Sequence, residues 1–270
     1  MARSVSAKRK QQQQRAGALL LVVALVLGAS VFGLYIWKKG QQVKADPITL
    51  CPVDSPRGIT VLLIDRTEPL NLIQKEDLRQ HLARLRDTLP LYSAIEVYSI
   101  GPTASGVLKP EAPRICNPGR GQGLSPLVAN PALVERQWQS LFAVPLERIL
   151  DQLLKDGEQP TSPILESIQS VALTAFAPLP TELRPRRLIV ASDMLQNTPE
   201  LSHYDQVIPL SQLGTTSYYH RVRATLTDVE VEILYVRRDT GRQGAAHIQF
   251  WQDYFADSGA RLTHVIKLAG

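Results

Sequence analysis

Four side chains place hard oxygens at positions where a site could form. Asp65 and Thr67 stand two residues apart in LLIDRTEP, Thr161 lies in QPTSPILESI, and Asp193 closes the run IVASD. Two carboxylates supplemented by two hydroxyls suit a divalent cation, Mg²⁺ first and Mn²⁺ or Ca²⁺ as alternatives. Such cations take about six oxygens, and Mg²⁺ keeps few carboxylates and several waters. Each residue also has a purely local use. A strand-end Asp satisfies backbone N–H groups in the following turn, and a Thr ahead of a helix caps it.

The elements that must position these residues can be read from periodicity. Ile59–Asp65 (ITVLLID) is almost unbroken in apolar character. That suits a strand buried on both faces of a parallel sheet. Asp65 then falls at its carboxyl end, where ligands bind in open α/β sheets. A helix is predicted over Gln74–Thr88, with Leu78, Leu82, Leu85 and Leu89 at helical spacing, and a strand over Ala94–Ile100. Residues 101–131, rich in Gly and Pro, read as a long irregular loop. Pro131–Asp156 reads as a helix broken at Pro145. Ile164–Ala177 reads as a second helix, with Thr161 or Ser162 as N-cap and Glu166 completing a capping box. Further strands are expected at Arg187–Asp193, Val229–Val236 and Leu262–Leu268, a short helix within Ser211–Val222, and a helix at Ala245–Ser258 ended by Gly259. Alternating strands and helices give a mostly parallel sheet with helices on both faces. Asp65 and Asp193 then share one rim, and Thr161 opens a helix facing it.

Charge is unevenly spread. Residues 1–44 hold eight Lys or Arg and no acid, leaving 22 basic and 25 acidic residues elsewhere. A folded part without basic excess argues against a nucleic-acid partner. Residues 1–15 form a basic tail, expected to be disordered and cytoplasmic. Residues 16–37 carry no charge over 22 positions, enough for one transmembrane helix, with Tyr35 and Trp37 at headgroup level. The apolar run is longer than that of a signal peptide and lacks a small-x-small ending, which points to an uncleaved anchor. Five basic residues precede it and Lys38, Lys39 and Lys44 follow. The expectation is a cytoplasmic N-terminus at the inner membrane, with the main domain, 57–270, periplasmic after a linker at 38–56. Cys51 and Cys116 lie in no C-x-x-C or Cys/His cluster, and in an oxidising compartment they can pair.

The order of these features resembles a von Willebrand factor type A (VWA) domain. That family carries a metal-ion-dependent adhesion site built from Asp-x-Ser-x-Ser after the first strand, a Thr in a later loop and an Asp after a later strand. Asp65 and Thr67 match the first two positions, Pro69 replaces the second Ser, and Thr161 and Asp193 match the remainder. The resemblance implies a Rossmann-like α/β fold. It further implies a protein-binding module in which the cation leaves one coordination position for a partner's carboxylate. The competing reading is a metal-free structural subunit of a membrane complex. A remoter one is a phosphatase of the haloacid dehalogenase type, whose Asp-x-Asp motif is missing here because Thr67 holds the second position. No G-x-S-x-G marks a hydrolase, and Gly119, Gly121 and Gly123 lack the G-K-[ST] of a phosphate loop. The five histidines show no metal spacing, and His203 is expected to be a surface or loop-packing residue.

Overall fold

A computed structural model describes residues 17, 20–37, 43–101, 107–125, 129–155, 157–180, 182–238 and 241–270. Two units emerge, residues 1–44 and residues 45–270. In the first, helix α1 (Leu20–Trp37) has a mean hydropathy of 2.4 and is long and apolar enough to cross a membrane. The basic tail and the start of the linker lie outside the described residues.

The second unit is built on a six-stranded sheet: β1 (Ile59–Asp65), β2 (Ala94–Ile100), β3 (Ile115–Cys116), β4 (Arg186–Ser192), β5 (Glu230–Tyr235) and β6 (Arg261–Lys267), in spatial order β3-β2-β1-β4-β5-β6. All neighbours pair in parallel except β2 with β3. This is the doubly wound order, whose direction reverses at β1/β4, the crevice where such folds bind ligands.

The unbroken apolar run of β1 has a direct cause. Ile59, Val61 and Leu63 join one core, while Leu62 and Ile64 join the other. The first core is covered by α5 (Ile164–Val171), α7 (Ser217–Val222) and α8 (Ala245–Asp257), together with the short α6 (Leu210–Leu213). The second is covered by α2 (Leu72–Thr88), α3 (Pro131–Trp138) and α4 (Val144–Leu153). Helix α2 starts two residues earlier than its leucine spacing predicts, because Asn71 and Gln74 form a reciprocal capping box.

Three local expectations are corrected. The helix does not break at Pro145: a π-helical turn, Gln139–Ala143, joins α3 to α4. Proline lacks the N–H for the i−4 carbonyl and clashes with it, and one widened turn before it relieves both. Neither Thr161 nor Ser162 caps α5. Its N-cap position is Pro163, without a side-chain cap bond, and Glu166 instead meets Gln196 and Tyr218. The loop 101–131 contains the edge strand β3, which is tied to the strap before β1. A disulfide joins Cys51 to Cys116, and Cys116 N–H donates to the Thr49 carbonyl at 2.8 Å. Residues 45–52 therefore cover an edge that would otherwise offer unpaired backbone groups.

Candidate functional site at the carboxyl rim

Asp65 is the hub of the rim. Its Oδ1 accepts from Thr67 N–H at 2.9 Å and from the Thr67 hydroxyl at 2.7 Å. Its Oδ2 accepts from the hydroxyls of Ser162 at 3.2 Å and Ser192 at 2.7 Å. One carboxylate thus gathers three loops that are 97 and 127 residues apart in sequence. Ser162, rather than its neighbour Thr161, makes the contact among the described hydrogen bonds. Thr161 instead lines a shallow cavity of about 290 Å³ with Pro163, Glu166 and Thr198. The Thr161 loop comes this close because of Gly157, where a Cβ would lie 2.4 Å from the Arg66 carbonyl oxygen. The approach is fixed by Gln159 N–H donating to the Thr67 carbonyl.

Asp193 follows directly on β4 and is 5% exposed. Its Oδ1 accepts from Leu195 N–H at 2.9 Å, and its Oδ2 accepts from Arg238 Nε at 3.3 Å. Burial and the nearby charge of Asp65 push its carboxyl up to about 7, and Arg238 only partly offsets them. Arg238 also donates through Nη1 to the Pro69 carbonyl and through Nη2 to the Glu68 carbonyl, and its Nε lies 3.5 Å from the Glu68 carboxylate. Gln243 fixes its backbone by accepting from Arg238 N–H at 2.6 Å, while donating to the Asp193 and Val236 carbonyls. One guanidinium therefore clasps the loop after β1 to the loop after β4.

Behind the clasp, Met194 has φ +61°, a left-handed conformation uncommon for a non-glycine residue. Ser192 Oγ accepts its N–H, and its carbonyl accepts from Trp251 Nε1 and lies 2.9 Å from His247 Nε2. His203 is only 1% exposed, stacked edge-on against Phe250 and His247, and neither ring nitrogen has a hydrogen-bond partner. It packs the loop and is not at the surface. Burial, then the neighbouring His247, pushes it down to about 3, against a smaller opposing contribution from the Met194 backbone.

Sequence reasoning placed Asp65, Thr67 and Asp193 at this rim and missed Ser162, Ser192 and Arg238. Ser192 carried a signal, a hydroxyl ending an otherwise apolar strand. Arg238 carried none, because its partners lie 45 and 170 residues away.

The doubly wound order, with Asp65 at the switch point and Asp193 on the adjacent strand end, decides the assignment. The fold is VWA-like. No protein-family model and no curated protein matches the chain. Among solved structures it is similar to an aerotolerance-related membrane protein from Bacteroides fragilis, with 12% identity, coverage of 79% of this chain and 92% of that one, and a TM-score of 0.37. It is similar to a von Willebrand factor type A protein from Catenulispora acidiphila, with 11% identity, coverage of 79% and 39%, and a TM-score of 0.45. A third is proximal thread matrix protein 1 from the mussel byssus, with a zinc-occupied adhesion motif, 11% identity, coverage of 78% and 44%, and a TM-score of 0.39. The chain thus spans less than half of the latter two structures. At these scores the overlaps are loose, and sheet order and rim residues carry the fold assignment.

At the rim of this VWA-like domain the candidate cation ligands are engaged in hydrogen bonds within the protein. All four carboxylate oxygens of Asp65 and Asp193 accept from protein donors. The hydroxyls of Thr67, Ser162 and Ser192 are turned toward Asp65 as donors. Pro69 brings no side-chain oxygen, and its carbonyl is held by Arg238. Among the described residues, no group of three or more His, Cys, Asp or Glu could hold a metal.

Proposed function

We propose that the chain is a membrane-anchored, extracytoplasmic protein-binding module whose rim works without a metal ion. The Arg238 clasp carries this reading. It supplies, as a fixed guanidinium, the positive charge that Mg²⁺ would bring to Asp193 and the loop after β1. The rim so formed is a rigid polar platform, and two large apolar side chains stand exposed beside it. Leu72 and Ile73, at the start of α2, are 84% and 62% exposed. The capping box of Asn71 and Gln74 holds that helix start in place. An apolar contact flanked by ordered polar groups has the composition of a protein interface. Its binding role is non-enzymatic, and helix α1 and the Cys51–Cys116 bridge favour an anchored domain in an oxidising compartment, the periplasm if the source is bacterial.

The test is a photo-crosslinking amino acid at Leu72 in the full chain in its own membrane. A discrete protein adduct that persists in EDTA is expected. An adduct lost in EDTA and restored by Mg²⁺, Mn²⁺ or Ca²⁺ overturns the metal-free reading. Adducts to lipid alone, or none, overturn the protein-binding reading.

A further inference from the structure

The two edges of the sheet differ. At one, β3 is covered by the strap before β1 and bonded to it through Cys116. At the other, β6 pairs with β5 alone, and among the described residues no strand lies on its outer side. None of its seven residues is buried, and Arg261, Thr263, His264 and Lys267 are exposed. Leu268 N–H donates to the Tyr235 carbonyl at 2.9 Å. Successive residues of a strand turn their N–H and C=O groups to opposite edges, so those of Lys267 and Val265 point outward. They form a backbone row that no described strand meets.

A cavity of about 260 Å³ lies beside this edge, on the sheet face that carries α2. Its floor includes Leu234 and Ile266, and its polar lining includes His81, Arg84, Arg187 and Glu232. Charge here is one-sided. The acids that β5 brings to this face are already taken: Glu232 lies 3.6 Å from Arg187 Nη2, and Glu230 accepts from Arg261. Strand β6 itself holds Arg261, His264 and Lys267 and no acid. The side chains of Arg84 and Lys267 have no hydrogen bond or ion pair among the described residues.

Those charges decide what can extend the sheet. A second copy pairing antiparallel through β6 about His264 would set Arg261 opposite Lys267, and in parallel each cation would meet its own copy. Like charges directly opposite are destabilising. Natural edges use such charges, together with breaks in register like that at Val231/Glu232, to bar self-association. The same charges attract an acidic strand. We infer that the β6 edge takes an extended, acidic segment of a partner protein as a seventh strand. Val265 and Lys267 supply the main-chain hydrogen bonds, as in other strand additions at an open edge. Alternate side chains of the segment lie over the cavity toward Arg84, and the intervening ones reach Lys267 on the other face. This edge is separate from the rim of Asp65, and its occupant does not depend on what the rim binds.

The experiment uses the full chain in zwitterionic detergent. It is titrated with a fluorescently labelled peptide of alternating Glu and Thr, about ten residues long so as to span the strand, and followed by anisotropy. Saturable binding that weakens at raised salt is expected. The same peptide with Lys in place of Glu should bind about tenfold more weakly or worse. A Glu/Thr peptide methylated on alternate backbone nitrogens, unable to form the ladder, should not bind. Val265→Pro removes one outward N–H and leaves the ladder with β5 in place, because proline is tolerated at such edge positions; it should weaken binding about tenfold or more. Lys267→Glu, at an exposed position, should weaken it several-fold at an unchanged melting temperature. This second variant keeps the test decisive should Val265→Pro fail to fold. Absence of saturable binding, equal affinity for the Glu and Lys peptides, or full binding of the methylated peptide overturns the seventh strand. So does ready disulfide crosslinking of His264→Cys between two copies, which would show the edge paired with itself.

Discussion

Asp193 and His203 are buried ionisable groups that pull stability in opposite directions with pH. The carboxyl of Asp193 is held at about 7 against an ordinary 3.8, so the fold keeps a proton that the unfolded chain releases. Its contribution is fully present below about pH 4 and is lost as pH rises through 7. His203 is held at about 3 against an ordinary 6.5, so its contribution is present above pH 6.5 and lost as pH falls toward 3. Between pH 4 and 6.5 the two slopes oppose. Asp193→Asn should unmask the histidine, and urea midpoints should then fall more steeply on acidification than in the wild type. Asp65→Asn should bring the Asp193 midpoint down from about 7, because the charge of Asp65 helps to raise it; carboxyl-carbon NMR titration reads this directly. Arg238→Ala leaves Asp193 and Glu68 without their cation and should cost about 3 kcal/mol in urea unfolding at pH 7.5. Combined with Pro69→Ser, which returns a hydroxyl to the rim, it should create Mg²⁺ binding, which the metal-free reading denies to the wild type. Calorimetry on the double variant checks this.

Elements with a strong internal pattern were legible from the sequence, and those set by distant contacts were not. The run Ile59–Asp65 declared itself because both of its faces are buried, and the leucines of α2 because one face meets the second core. Strand β3, two residues long, has no pattern to read. The capping motif of Thr161, Ser162 and Glu166 is locally sound but overridden. Ser162 exchanges backbone hydrogen bonds with Asn197, so the segment enters α5 from a bridge rather than from a cap. Two variants test this level. The bridge between Cys51 and Cys116 closes a span of 65 residues, and Cys51→Ser should cost about 4 kcal/mol by the chain-entropy estimate. Non-reducing mass spectrometry should recover the linked peptides. Ile73→Asp, on an exposed position, should change stability by no more than about 0.5 kcal/mol while abolishing partner crosslinking from position 72.

At the scale of the molecule, an exposed apolar helix of 18 residues precedes a folded unit whose two poles differ. A reporter active only in the periplasm, fused after Gly270, should be active in bacteria; activity of a cytoplasm-only reporter would reverse the topology. The poles are separated by strands of seven residues, roughly 20 Å. The rim of Asp65 stands at one, and the strap bonded to Cys116 enters at the other. Any pull arriving along the chain from α1 therefore meets a covalent stop at Cys51 and passes into β3 and β2, at the foot of the sheet. With the bridge intact, tension leaves the rim loops unloaded. With it reduced, the strap from residue 51 to residue 58 can also peel away and add up to roughly 25 Å of slack. The oxidation state of one cysteine pair thus sets how far the segment ahead of β1 can extend.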